Sequence, residues 1–266
     1  MEVAGYIASL LIGVSLGLIG GGGSILTVPV LVYLFGVDAV LATGYSLFVV
    51  GATSLVGGIR AHLKKLVDVK TAIVFAIPSF TAVFLTRRYI VPAIPEELFQ
   101  VGDVVITKQI GVMIFFALIM VAAALSMILS KKEKKDLKAH EKMLNLKLIV
   151  LEGIIVGVIT GLVGAGGGFL IIPALVLFAK LPMKTAVGTS LAIIAAKSLI
   201  GFLGDLGANQ NIDWVFLLTV TIIAIGGIFI GSYLSTKIDG KKLKSGFGWF
   251  VLIMAVYIVI KELFLK

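Results

Sequence analysis

"GLIGGGGSILTVP" at residues 17–29 and "GLVGAGGGFLIIP" at residues 161–173 decide how this chain folds. Each puts a glycine cluster inside a long apolar stretch, Val3 to Phe35 in the first case and Leu148 to Ala179 in the second. Glycine inside a helix costs ~1 kcal/mol relative to alanine, and Gly20 to Gly23 stand in an unbroken row. Isolated glycines such as Gly51, Gly157 and Gly226 read as close-packing residues of membrane helices. A clustered run, used twice, is expected instead to break the helix and turn the backbone at positive φ.

The surrounding chain sets the solvent in which this turn is made. Of 266 residues, 59% are hydrophobic and only 14% charged, with a mean hydropathy of +1.15, whereas a soluble domain is about 25% charged. The charges fall in short clusters between apolar runs long enough for a bilayer core, so the fold class is an all-α polytopic membrane protein. The net charge of +9 then reads as loop lysine and arginine that orient helices, not as a nucleic-acid surface. No basic residue precedes the first apolar run, so that run is expected to be retained and not cleaved as a signal.

The apolar runs cover Val3 to Phe35, Ala39 to Ile59, Val69 to Val91, Ile110 to Leu129, Leu148 to Ala179, Thr185 to Leu203, Trp214 to Ser235 and Phe247 to Ile260. The basic stretch at 131–147 separates a first repeat, 1–130, from a second, 148–266. Shifting the chain by 144 residues superposes Gly17 to Leu47 on Gly161 to Leu191 without gaps, with 13 identities in 31 positions. The halves are therefore an internal duplication, as in many secondary transporters.

Loop charge predicts that the halves are inverted. "RAHLKKLVDVK" is basic and its counterpart "GDLGANQNID" is acidic, while "FGVD" carries an acid where its counterpart "AKLPMK" carries bases. Both termini and the acidic loops are expected outside, the basic loops inside. Inversion requires an odd number of crossings per half, yet each half has four apolar segments. One must turn back, and the glycine-broken first segment is the one long enough to form a hairpin. Each half is thus a glycine-broken hairpin plus three transmembrane helices.

Beyond each turn a half-helix is expected to start, at Ser24 and at Gly168, with Pro29 and Pro173 near its beginning. Unpaired first-turn amides, backed by the helix dipole, form an anion site. The candidate substrate-binding residues are Gly20, Gly21, Gly22, Gly23 and Ser24 of the first turn and Gly164, Gly166, Gly167 and Gly168 of the second, with Ser46, Ser190 and Lys197 from the following helices. Lys197 lies eight residues before Asp205, about 12 Å along a helix, and a cation at that depth marks function by default. Its repeat mate is Thr53, and Ser54 corresponds to Ser198. Thr43 and Thr189 are further hydroxyls near the helix starts, while Glu152 and Asp205 are weaker candidates for a coupling proton.

Other chemistries lack their residues. The chain has no cysteine, its two histidines, His62 and His140, lie in charged loops, and no acid or histidine cluster has metal-ligand spacing. No serine has a histidine partner at depth, and the glycine run lacks the Lys and Ser/Thr of a P-loop. No catalytic or metal site is expected.

The paired glycine motifs, each followed by "ATGYSLF" or "AVGTSLA", resemble the TauE/SafE family of sulfite and sulfonate permeases over nearly the whole chain. That resemblance implies transport of small sulfur-containing anions such as sulfite or organosulfonates, without a cofactor, in the cell membrane. The family's glycine motifs fall on Gly20 to Gly23 and Gly164 to Gly168; the halves differ at Gly21/Ala165 and Ser24/Gly168, so the two turns need not be equivalent. Expected partners are a small anion and the lipid bilayer, with a homodimer as an option and no nucleic acid. An anion channel, a carboxylate carrier or a non-transporting membrane scaffold are the alternatives.

Overall fold

A computed structural model describes residues 2–101, 104–129, 146–164, 166–177, 179, 181–206, 212–235 and 240–264. The charged linker expected at 131–147 lies outside them but for its last two residues. With no water to satisfy backbone amides, membrane segments must close their hydrogen bonds internally, and the apolar runs are helical accordingly. The first half contains α1 (Glu2–Ile19), a 3-10 turn (Gly21–Leu26), α2 (Thr27–Tyr33), α3 (Ala39–Leu63), α4 (Val69–Leu85), a π-helical turn (Thr86–Ile90), α5 (Val91–Ala93) and α6 (Lys108–Leu129). The second contains α7 (Leu146–Val163), α8 (Gly168–Leu177), α9 (Met183–Leu206), α10 (Trp214–Leu234) and α11 (Gly240–Phe264). Among the described residues, Ala39–Leu63, Val69–Ala93, Met183–Asp205 and Trp214–Leu234 are long and apolar enough to cross a membrane, and shorter apolar helices accompany them.

The glycine-broken segments turn back. Phe35, just past α2, packs its ring on Tyr6 near the start of α1 at 5.2 Å between centroids. In the second half Ala179 and Leu181, beyond α8, share a buried cluster with Ile149 at the start of α7. Both hairpins lie against the crossing of α3 and α9, which run antiparallel: Gly44 faces Asp205 at one end and Gly58 faces Ala192 at the other.

Helix starts are fixed by aspartates. Asp38 accepts from the amides of Val40 and Leu41, Asp68 from Thr71 and Asp213 from Phe216, so each satisfies an amide that the helix leaves open. The Asp68 amide donates to Thr189 Oγ1 at 2.9 Å, and the Asp213 amide donates to Tyr45 Oη at 2.7 Å. Tyr45 and Thr189 are repeat mates, so each half clamps the other through the same bond. Helix packing follows the same exchange: α1 lies on α10 and α7 on α4, α3 touches α10 and α9 touches α4, and α6 pairs with α11.

Two features depart from the sequence expectations. The first half-helix does not begin at Ser24; a 3-10 turn occupies Gly21–Leu26 and α2 follows at Thr27. The region between α5 and α6 contains strands β1 (Glu97–Val101) and β2 (Val104–Thr107), paired antiparallel. Lys108 closes this hairpin, its amide donating to the Glu96 carbonyl and its Nζ lying 3.6 Å from Glu96 Oε1.

Candidate functional site

The two glycine turns meet inside the bundle. Gly20 (φ 77°) and Gly164 (φ 73°) open them in left-handed conformations, which glycine adopts without a Cβ penalty. In the first turn Gly20 alone of Gly20 to Gly23 has a positive φ, whereas Gly166 and Gly167 also do in the second. Gly21 therefore owes its identity to close approach: a methyl group on it would lie 2.0 Å from Gly168 Cα, and one on Gly168 would lie 2.0 Å from Gly21 Cα. The turns abut at this point, so no anion fits between Gly21 and Gly168. Ile194 of α9 packs on both residues, and its mate Val50 of α3 packs on Gly166. Above them α6 and α11 contribute Met113, Phe116, Val251 and Ala255 to a buried cluster with Ile25 and Val163, which flank the turns.

Polar groups flank this contact. Lys197 is fully buried; its Nζ donates to Thr160 Oγ1 at 3.0 Å and lies 2.7 Å from where a methyl group on Gly167 would sit. Neither ion pair among the described residues involves it. An ammonium has three donors, and the described residues engage one of them. Thr160 gives its own proton to the Val156 carbonyl at 2.6 Å, so its oxygen is free to receive the lysine.

The hydroxyls divide into two sets. Ser24 Oγ donates to the Gly21 carbonyl and Ser190 Oγ to that of Val187, so both expected ligands are engaged by their own turns of backbone. Ser190 nonetheless sits beside Gly20, and Ser24 beside Gly166. Ser46, Thr53, Ser54 and Ser198 are fully buried with hydroxyl oxygens that have no partner among the described residues. Ser46, Val50 and Thr53 share one face of α3, and Ser190, Ile194 and Lys197 the corresponding face of α9. The structure thus gathers Gly20 to Ser24, Gly164, Gly166 to Gly168, Ser190 and Lys197 at one place. It leaves Ser46 and Thr53 one turn to either side of Val50.

Two participants are absent from the sequence reading. Thr160 looks in sequence like any hydroxyl bonded to its own helix. Arg87 ends an apolar run in "TRRYI", where arginine normally reaches the interface, yet it is fully buried while Arg88 is exposed. The π-helical turn that carries it rotates its side chain into the bundle; such turns concentrate at functional sites. Arg87 Nε donates to Asp205 Oδ1 at 2.8 Å and Nη2 to Oδ2 at 2.5 Å. Nη1 donates to Thr43 Oγ1 at 2.7 Å and to the Gly161 carbonyl at 3.2 Å.

The family described as "Sulfite exporter TauE/SafE" matches residues 6–258. Proteins named "Probable membrane transporter protein" are similar along nearly their whole length. One from Xylella fastidiosa (strain 9a5c) is 29% identical over 94% of this chain and 91% of its own. Another from Methanocaldococcus jannaschii is 30% identical over 90% of this chain and 88% of its own, and YunE of Bacillus subtilis is 26% identical over 96% and 93%. No solved structure matches the chain.

Proposed function

The chain belongs to the sulfite exporter TauE/SafE family and is a multi-pass membrane transporter, not an enzyme; from that premise we propose that it is a secondary transporter of small sulfur-containing anions, sulfite or an organosulfonate. One observation carries the reading: the Lys197 ammonium is fully buried at the second glycine turn, with one hydroxyl as its only hydrogen-bond partner and no acid beside it among the described residues. An uncompensated buried charge is costly, and an arriving anion removes that cost. A sulfur oxyanion offers several acceptors at once, matching the two remaining ammonium donors.

The anion binds beside the Gly21–Gly168 contact, on the Lys197 flank. The halves 1–130 and 148–266 act as inverted repeats joined by the 131–147 linker. Three observations favour this: the antiparallel course of the mates α3 and α9, the exchanged Tyr45 and Thr189 bonds, and acids at one end of α3 and α9 with bases at the other. In such an arrangement, exchanging the conformations of the halves exchanges the open face, which is alternating access.

Thermal unfolding of the detergent-purified protein with sulfite, sulfoacetate, acetate or chloride tests the reading. A ligand that binds only the folded state adds about 2.7 kcal/mol at a hundred times its Kd. Sulfite or sulfoacetate should raise the midpoint several degrees above chloride. Equal midpoints in all four would overturn a selective sulfur-anion site, and stabilisation by acetate alone would identify a carboxylate carrier.

A further inference from the structure

We propose that Arg87 and Asp205 are the outer gate of the transport path, a charged clasp that closes the acidic face of the protein over the second glycine turn and must part for an anion to pass. The proposal rests on reading the chain as an alternating-access transporter. The clasp joins four elements: the π turn through Arg87, α9 through Asp205, α3 through Thr43 and α7 through the Gly161 carbonyl. Gly164, the first residue of the second turn, packs directly on Thr43, so the clasp sits over that turn. Gly161 also follows Thr160, the partner of Lys197. The last turn of α7 is thus held by the clasp through one residue and by the substrate-site lysine through its neighbour. An anion that draws Lys197 from Thr160 frees one of these ties.

Among the described residues the opposite face has no such device. Gly17, mate of Gly161, packs on α10 at Ile228, Gly231 and Ser232, which places Ser232 where Arg87 stands in the other half. The mate of Asp205 is Ala61, and Ala61 lies against Gly188, the mate of Gly44. Backbone contacts on the two faces therefore correspond, but among the described residues only the acidic face carries the ion pair. A buried pair does little for stability compared with apolar side chains. A bidentate guanidinium–carboxylate contact does give a closed state of one defined geometry.

The chain has no cysteine, so a single reporter can be introduced. Leu47→Cys places a thiol four residues deeper than Thr43 on α3, at a fully buried position beside Gly201. Its reaction with a membrane-impermeant methanethiosulfonate added outside reads the gate without reading transport. Asp205→Asn removes one charge. Gly44→Ala keeps both, but its methyl group would lie 2.7 Å from Asp205 Oδ2 and 2.9 Å from Arg87 Nη2, wedging the clasp apart. Each variant should raise the external labelling rate at least tenfold, while a Leu191→Cys reporter near the opposite end of α9 keeps its rate. Rates within twofold of the parent in Gly44→Ala, an equal rise at both reporters, or a rise seen only from the inner side would each overturn the gate. If these rates rise while no sulfur anion stabilises the protein, the gate stands and the substrate reading fails; if sulfite binds but the rates do not move, the reverse holds.

Discussion

Replacing Lys197 with methionine separates a substrate ligand from a residue of the fold. At ~3 Å and an effective dielectric constant of about 20, a unit charge pair interacts by about 5 kcal/mol, most of which is offset by stripping water from the anion. Hydrogen bonds to charged groups retain a net contribution of about 1.5–3 kcal/mol, so Lys197→Met should weaken sulfite or sulfonate binding by about tenfold to a hundredfold. The fold should not suffer. Methionine keeps the apolar stem, and Thr160 continues to donate to the Val156 carbonyl, leaving no orphaned donor. Removing a buried ammonium also removes its desolvation cost, so the unliganded unfolding midpoint should hold or rise. Isothermal titration with sulfite gives the Kd, and a thermal scan without ligand gives the stability. Lys197→Arg keeps the charge in a wider planar group and should retain part of the affinity. A Kd within twofold of the parent for Lys197→Met, with the chain folded, would remove Lys197 from the site.

Gly167→Ala should abolish anion binding, because its φ is 63° and the new methyl group would lie 2.3 Å from Thr160 Oγ1 and 2.7 Å from Lys197 Nζ. Gly226, expected to pack closely, instead has its nearest atom 4.0 Å from a methyl group placed on it, so the same change there should leave binding unchanged and hold or raise the midpoint by removing a mid-helix glycine. Asp68→Ala and Asp213→Ala should each cost about 1 kcal/mol of stability through the lost cap, measured as a lowered thermal midpoint; a shift in only one of them would break the equivalence of the halves. Cysteines placed at Val37 and at Lys64, at opposite ends of α3, should react with an impermeant thiol reagent from outside and from inside respectively. Labelling of both from one side would refute the topology read from loop charge.

The helical segmentation and both hairpins were legible in the sequence because the bilayer leaves the backbone few options: long apolar runs become helices, and clustered glycine ends them. Lys197 was legible for the same reason, a charge where charge is expensive. Contacts between distant segments were not. Nothing local distinguishes Gly21, which needs to be glycine because Gly168 lies against it, from Gly20, which needs to be glycine for its φ. Arg87 was missed because an arginine closing an apolar run has an ordinary interfacial destiny; the π turn that sends it inward left no mark in "TRRYI". The 3-10 lead-in to α2 was missed since the half-helix was expected to start directly at Ser24, whose hydroxyl instead turns back to the Gly21 carbonyl. The β1–β2 hairpin was signalled by the β-rich "ELFQVGDVVIT", which lies between the apolar runs that end at Val91 and begin at Ile110.

The duplicated scaffold and its charges answer different physical needs. The elements that repeat are backbone contacts: α3 against α9, the abutting turns, and the amides of Asp68 and Asp213 on the hydroxyls of Thr189 and Tyr45. Contacts that map onto themselves when the halves are exchanged can be made equally well in two conformations, so they supply a path between states of similar energy. The charged groups do not repeat. Lys197 and Asp205 both belong to α9, where α3 offers Thr53 and Ala61, and the place of Arg87 is taken by Ser232. Two conformations of a symmetric scaffold therefore differ in energy by what these three side chains do. In the transporter proposed above, Lys197 favours whichever state admits an anion to it, and the Arg87–Asp205 pair favours the state closed on the acidic face. A ligand shifts such an equilibrium only through its different affinity for the two states, and the proposed function assigns that difference to Lys197, bonded through Thr160 to the helix turn that the clasp also holds.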